Sequence, residues 1–103
     1  MVYVSFAKKM KELGFHAVAD KIPYRLFICD ISPKTMLVVE GFHDGKHPEY
    51  KYSFYTMRCG TSRYYTASYR VHADNVSALK LLRRVRYHMD YLENTKNERY
   101  VKK

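Results

Sequence analysis

Between Tyr24 and His72 the chain is cut three times by turn signals, and this punctuation constrains its fold more than any other feature. Ser32-Pro33-Lys34-Thr35 puts a proline where a turn needs a fixed φ. His43-Asp44-Gly45-Lys46-His47-Pro48 holds Asp-Gly, which supplies the positive φ of a hairpin connection. Cys59-Gly60-Thr61-Ser62 is the third. The stretches around these signals, Tyr24–Ile31, Met36–Phe42, Glu49–Met57 and Arg63–His72, are rich in β-branched and aromatic residues and read as strands. Four strands joined by short turns form an antiparallel meander by default.

Helical spacing flanks this meander. Ser5 is a fitting N-cap, with Phe6, Met10 and Leu13 on one side and Lys8, Lys9, Lys11 and Glu12 on the other. Gly14 followed by Phe15 predicts a left-handed C-cap with an apolar residue folding back. A second short helix, His16 to Ile22 and closed by Pro23, is expected next, or one kinked helix in place of two. At the other end Asp74 or Asn75 is expected to cap a helix running to Asn94. There Ala78, Leu81, Leu82, Val85, Met89 and Leu92 fall on one stripe that suits burial against the sheet. The fold class is therefore α+β: an N-terminal helix or helix pair, a four-stranded antiparallel meander, and a long C-terminal amphipathic helix. Residues 1–94 are expected to form a single domain, with 95–103 a polar, frayed tail.

Charge narrows the function. The chain carries 19 Lys and Arg against 10 Asp and Glu, a formal net charge of +9. By segment, residues 1–22 carry +2, residues 23–49 carry −1, residues 50–73 carry +4 and residues 74–103 carry +4. The third segment has no acid and holds six tyrosines and a phenylalanine. Cations interleaved with flat rings suit a partner that is anionic and stackable, as nucleic acid is, with DNA and RNA both open.

On the last helix Lys80, Arg83, Arg84, Tyr87 and Tyr91 lie opposite the apolar stripe, with Arg86 at its flank and no acid between Asp74 and Asp90. A merely solvated helix usually mixes Glu with Lys at i,i+4 spacing. Like charges side by side favour an anionic partner, and the forked guanidinium suits phosphate. In the Tyr-rich hairpin, Tyr65, Ala67, Tyr69 and Val71 are expected to face the core, leaving Tyr64, Arg70 and His72 toward solvent. Arg58 and Arg63 flank the hairpin tip. The site residues are thus Lys80, Arg83, Arg84, Tyr87, Arg58, Arg63, Tyr64 and Arg70.

The same cations serve a second class, a protein-interaction module or inhibitor docking on an acidic surface, with tyrosines as hot spots. A third class is a metal-free ribonuclease using His72 or His88, Arg70 and a Tyr. No Gly-rich phosphate loop, nucleophile elbow or cofactor motif occurs, so no cofactor is expected and catalysis is less favoured than binding. His43, His47, Cys59 and His72 are residue types that zinc accepts, but their spacing matches no compact finger, so no metal is expected. Two cysteines make no disulfide framework, and no leader or long apolar run is present. The expected setting is a reducing one, cytoplasmic or nuclear, away from membranes. A homodimer through an exposed edge of the Tyr24–Ile31 strand, with its apolar Leu26, Phe27 and Ile28, is also expected.

Overall fold

A computed structural model describes the backbone of residues 5–59 and 67–101. Helix α1 (Phe6–Glu12) leads into strands β1 (His16–Lys21), β2 (Tyr24–Ser32), β3 (Thr35–Phe42), β4 (Lys51–Cys59) and β5 (Ala67–Val76), and helix α2 (Ala78–Val101) follows. The strands lie in sequence order, each antiparallel to the next. The α+β class and the meander are as the sequence predicts; the strand count is five, not four.

The extra strand replaces the expected second helix. His16–Lys21 pairs with β2 through a two-residue turn, Ile22-Pro23, whose peptide bond is cis. The stretch is too short for its helical spacing to decide the matter. Pairing it instead covers the edge of β2, where Leu26, Phe27 and Ile28 would otherwise leave backbone groups unpaired. The expected self-pairing edge at Tyr24–Ile31 is therefore closed, because β2 sits between β1 and β3.

Helix α1 ends as its sequence requires. Ser5 accepts a hydrogen bond from the Lys8 amide at 3.2 Å. Gly14 adopts φ +99°, and the amides of Gly14 and Phe15 donate to the carbonyls of Lys11 and Met10. This is the Schellman arrangement, and it drives Phe15 into the core. Helix α2 begins later than expected. Ser77, not Asp74 or Asn75, caps it through the Lys80 amide, while Asn75 takes a left-handed φ of 55° at the end of β5. The helix also continues to Val101, past Asn94, since residues 95–101 contain neither Pro nor Gly to stop it.

Both helices cover one face of the sheet, α1 over β1 and α2 over β4 and β5. Alternation along the strands supplies the apolar floor: Phe27 on β2, Leu37 and Val39 on β3, Tyr52 and Phe54 on β4. Met10 and Phe15 close it from one side, Leu81 and Val85 from the other, and all nine form one cluster. The stripe expected on α2 is the stripe that packs, with Ala78, Leu82, Met89 and Leu92 half-buried around it.

Tyr52 shows why Gly41 has no side chain. A Cβ there would stand 2.5 Å from the Tyr52 ring, which is buried, stacked on Phe6 and bonded through its hydroxyl to Arg25 at 2.9 Å. Arg25 also pairs with Asp20 at 2.7 Å and stacks over Tyr50 at 4.4 Å, so the ring has no free direction to move. Gly41→Ala is expected to cost about 1–3 kcal/mol through overpacking, read as a lowered denaturant midpoint at unchanged slope.

Candidate nucleic-acid interface

The outer side of α2 is the exposed roof of the helical layer. Because Leu81 and Val85 turn down onto the sheet, Lys80, Arg83, Arg84, Arg86 and Tyr87 are turned to solvent, and all are exposed. Arg84 lies over the Tyr87 ring at 5.8 Å from its centroid, so one cation is held beside one exposed aromatic face. Shallow grooves run along both flanks of the helix. One, between α1 and α2, has a volume of about 380 Å³ and is lined by Lys9, Arg83 and Arg86 with a single acid, Glu12. The other, toward β5, is about 330 Å³ and is lined by Lys80, Arg83, Arg84 and Tyr87 over Ala73 and Val76. Arg83 borders both. Lys9 has no place in the sequence-based site, because a helix-to-helix groove cannot be read from either helix alone.

Register extends the cationic side onto the sheet. Thr56 faces the helices with Phe54 and stands opposite Arg70, and Arg58 follows Thr56 on the same face. Arg58, Arg70 and the α2 cations therefore share the helical side of the molecule. Arg63 and Tyr64, the other two expected site residues, lie outside the described residues, as does the turn after Cys59.

Two expectations for β5 are reversed. The register shift near Phe54 places Ala73 opposite Phe54 and Val71 opposite Tyr55, adding one residue to β5. His72 lies on the helical face with Arg70, and the bulge brings Ala73 to the same face, while Tyr69 and Val71 emerge on the face that carries no helix, both more than 60% exposed. Alternation holds from Ser68 to His72, so the reversal lies in which face is covered: the helix packs on the side of Arg70 and His72.

His72 thereby meets His88 of α2, ring centroids 4.4 Å apart, both against Phe54. His72 Nε2 also hydrogen-bonds Thr56 Oγ1 at 2.6 Å. Burial pushes the pKa of each imidazole down, and the charges of Arg84 and Arg70 push the same way. Sequence alone suggested both histidines only as separate surface groups. Which face of β5 the helix covers has no local signature.

The potential metal ligands are dispersed. His47 is bonded to Asp44, Nδ1 to Oδ2 at 2.9 Å, and Asp44 also accepts the amides of Lys46 and His47, which holds its carboxyl well below the usual range. His43 packs on Tyr50 in the same loop. Cys59 ends the far end of β4, about nine residues or roughly 30 Å of strand away. No group of three or more His, Cys, Asp or Glu able to hold a metal occurs among the described residues.

Of the five acids in residues 20–49, three are occupied elsewhere. Asp20 pairs with Arg25, Asp44 with His47, and Glu40 accepts the hydroxyls of Tyr24 and Tyr55 on the opposite face of the sheet. Among the described residues no α2 cation forms a salt bridge. No helix among the described residues is long and apolar enough to cross a membrane.

The fold and this surface define a small α+β protein with a cationic helical roof on a five-stranded sheet. Among known proteins it is similar to uncharacterized protein YddA of Bacillus subtilis (strain 168), 37% identical over 89 residues, which are 86% of this chain and 83% of that protein. The chain belongs to the same family as YddA. No family model matches the chain, and no solved structure matches it.

The histidine pair generates a pH dependence. Each His has a folded pKa below its ordinary 6.5, so the unfolded chain binds more protons between the two values. Stability is therefore complete above pH ~6.5 and falls as pH drops below it. The Asp44 contribution is lost only below its ordinary 3.8, a separate window. Thermal melts from pH 7.5 to 5 are expected to show a falling Tm in the wild type and a flatter profile in His88→Gln.

Proposed function

We propose that this protein binds nucleic acid without cleaving it, contacting phosphates through the roof of α2. Lys80, Arg83 and Arg84 make the central contacts, Arg70 and Arg58 extend them onto the sheet, and Tyr87 offers a stacking face beside Arg84. The observation that carries this reading is the segregation of charge. Exposed cations line both flanks of one helix, no carboxylate among the described residues bridges to them, and Asp30, Glu40 and Asp44 of the middle segment are paired off or face the other way. A surface held like this attracts a polyanion by releasing its counterions.

The histidine pair invites a cleavage reading, since His72 and His88 sit near Arg70 and Arg84. General acid–base cleavage needs one protonated and one neutral partner. Here burial pushes both imidazoles toward the neutral form, which favours bases over the acid that cleavage also needs. Binding is the better account.

Fluorescence anisotropy against duplex DNA, duplex RNA and single strands, each at two salt concentrations, tests the proposal. With three or four phosphates contacted, log affinity is expected to fall against log salt with a slope of about −3. The triple variant Lys80→Gln, Arg83→Gln, Arg84→Gln is expected to bring that slope close to zero, each lost contact removing about one. Absence of binding to every probe at low salt would sink the proposal in favour of docking on an acidic protein.

A further inference from the structure

The sheet face opposite the helices is apolar where an open antiparallel face is usually polar. Register places Leu26 and Ile28 of β2, Met36 and Val38 of β3, and Tyr55 and Met57 of β4 on this side. Phe42, Tyr69 and Val71 extend it toward the edges, each more than half exposed. The molecule is 19 Å thick, which accommodates one sheet and one helical layer at the usual ~10 Å spacing, and among the described residues no third layer lies over this face.

We infer that this face is covered by a second copy of the same chain, the two sheets stacking into a four-layer homodimer with the helices outside. Three observations select that occupant. The first is area. Five strands about 4.8 Å apart, presenting about eight residues each at ~3.3 Å, give a face of roughly 650 Å². A stacked pair then buries roughly 1,300 Å², within the range of stable, specific interfaces. The chain's accessible surface is 8230 Å², about a third above the ~6,100 Å² expected of a compact monomer of 12.3 kDa.

The second observation is charge. A chain of net charge +9 ordinarily repels its own copies. On this face, however, the charged residues among those described are Lys21 and Lys51 against Asp30, Glu40 and Asp74, the last fixed by Ser53 at 2.6 Å. The face is thus slightly acidic while the rest of the chain holds the whole positive excess. The basic roof lies a full molecular thickness away, beyond the ~8–10 Å over which salt lets charges interact. Nucleic acid is a poor occupant of a face bearing three carboxylates, and a near-neutral copy of itself is a good one.

The third is the state of Glu40. Its carboxylate stands mid-face and accepts hydroxyls from both Tyr24, at 2.9 Å, and Tyr55. Burial and the carboxylate push the Tyr24 hydroxyl up to about 12, with Tyr55 raised further, so both remain donors at neutral pH. The one charge near the centre of the patch enters an interface already hydrogen-bonded, which removes most of the penalty of covering it. Sheets stacked this way align within about 30° and interdigitate side chains as a sandwich core does.

Sedimentation equilibrium of the full chain, from about 1 to 100 µM in moderate salt, tests the inference. A mass near twice 12.3 kDa is expected for the wild type, and a monomer for Val71→Lys and for Phe42→Lys. Both positions are over half exposed in the single chain, so far-UV circular dichroism is expected to stay unchanged. The α2 triple variant is expected to remain dimeric while losing nucleic acid, and Val71→Lys to retain binding, which separates failure here from failure of the function proposed above. A wild type that stays monomeric at 100 µM, or a dimer indifferent to both lysine substitutions, would overturn the inference.

Discussion

Leu81 and Val85 of α2 lie fully buried against the sheet, in one cluster with Val39, Tyr52 and Phe54, and the orientation of every other group on the helix follows from that contact. A helix 24 residues long presents one stripe to the sheet and must send the remainder outward. Burying a Leu or Val side chain is worth about 1.5–3 kcal/mol, while a surface cation–cation repulsion along a helix costs a few tenths. The core contact therefore wins, and the crowding of Lys80, Arg83, Arg84 and Arg86 on the roof is tolerated because the floor is well packed.

The same division runs through the sheet. Strand β3 is buried on both sides, Leu37 and Val39 toward the helices and Val38 toward the opposite face, so it acts as the rigid spine between two surfaces of different character. On the helical side the spine is flanked by cations and a pair of near-neutral imidazoles. On the other it carries Glu40 and its tyrosine donors amid apolar side chains. The Glu40 carboxylate and the guanidinium groups of the roof are thus kept apart by the thickness of one sheet, and the +9 net charge becomes directional. A basic surface for a polyanion and a low-charge surface for a second copy are compatible on one small protein only because of that separation.

Arg25 departs from the general distribution. It alone among the described cations is held between a carboxylate, a tyrosine hydroxyl and aromatic faces, through Asp20, Tyr52, Tyr50 and Phe6. Its stem and fork fill the space over Gly41 that no larger backbone neighbour can share with Tyr52. This arginine fixes the outer end of the helical-side core, where β1, β2 and β4 converge. It belongs to the scaffold and not to the cationic roof.

Local chemistry was enough for the caps of α1, the turns at Pro33 and Gly45, the apolar stripe of α2 and the cations opposite it, because each depends on residues within a turn or two of one another. The α+β class followed from them. Three decisions lay beyond such short range. His16–Lys21 became a strand because β2 offered an unpaired edge, a choice settled by a neighbour eight residues away. The helices covered the face of β5 that carries His72 and not the one that carries Tyr69 and Val71, and a pattern of period two does not say which of its two faces will be covered. The meeting of Lys9 with Arg83 and Arg86, and of His72 with His88, required helices and strands distant in sequence to be laid side by side. Composition determined that the chain is strongly basic; only the sheet, by sorting its charges onto opposite sides, decided where that positive charge can act.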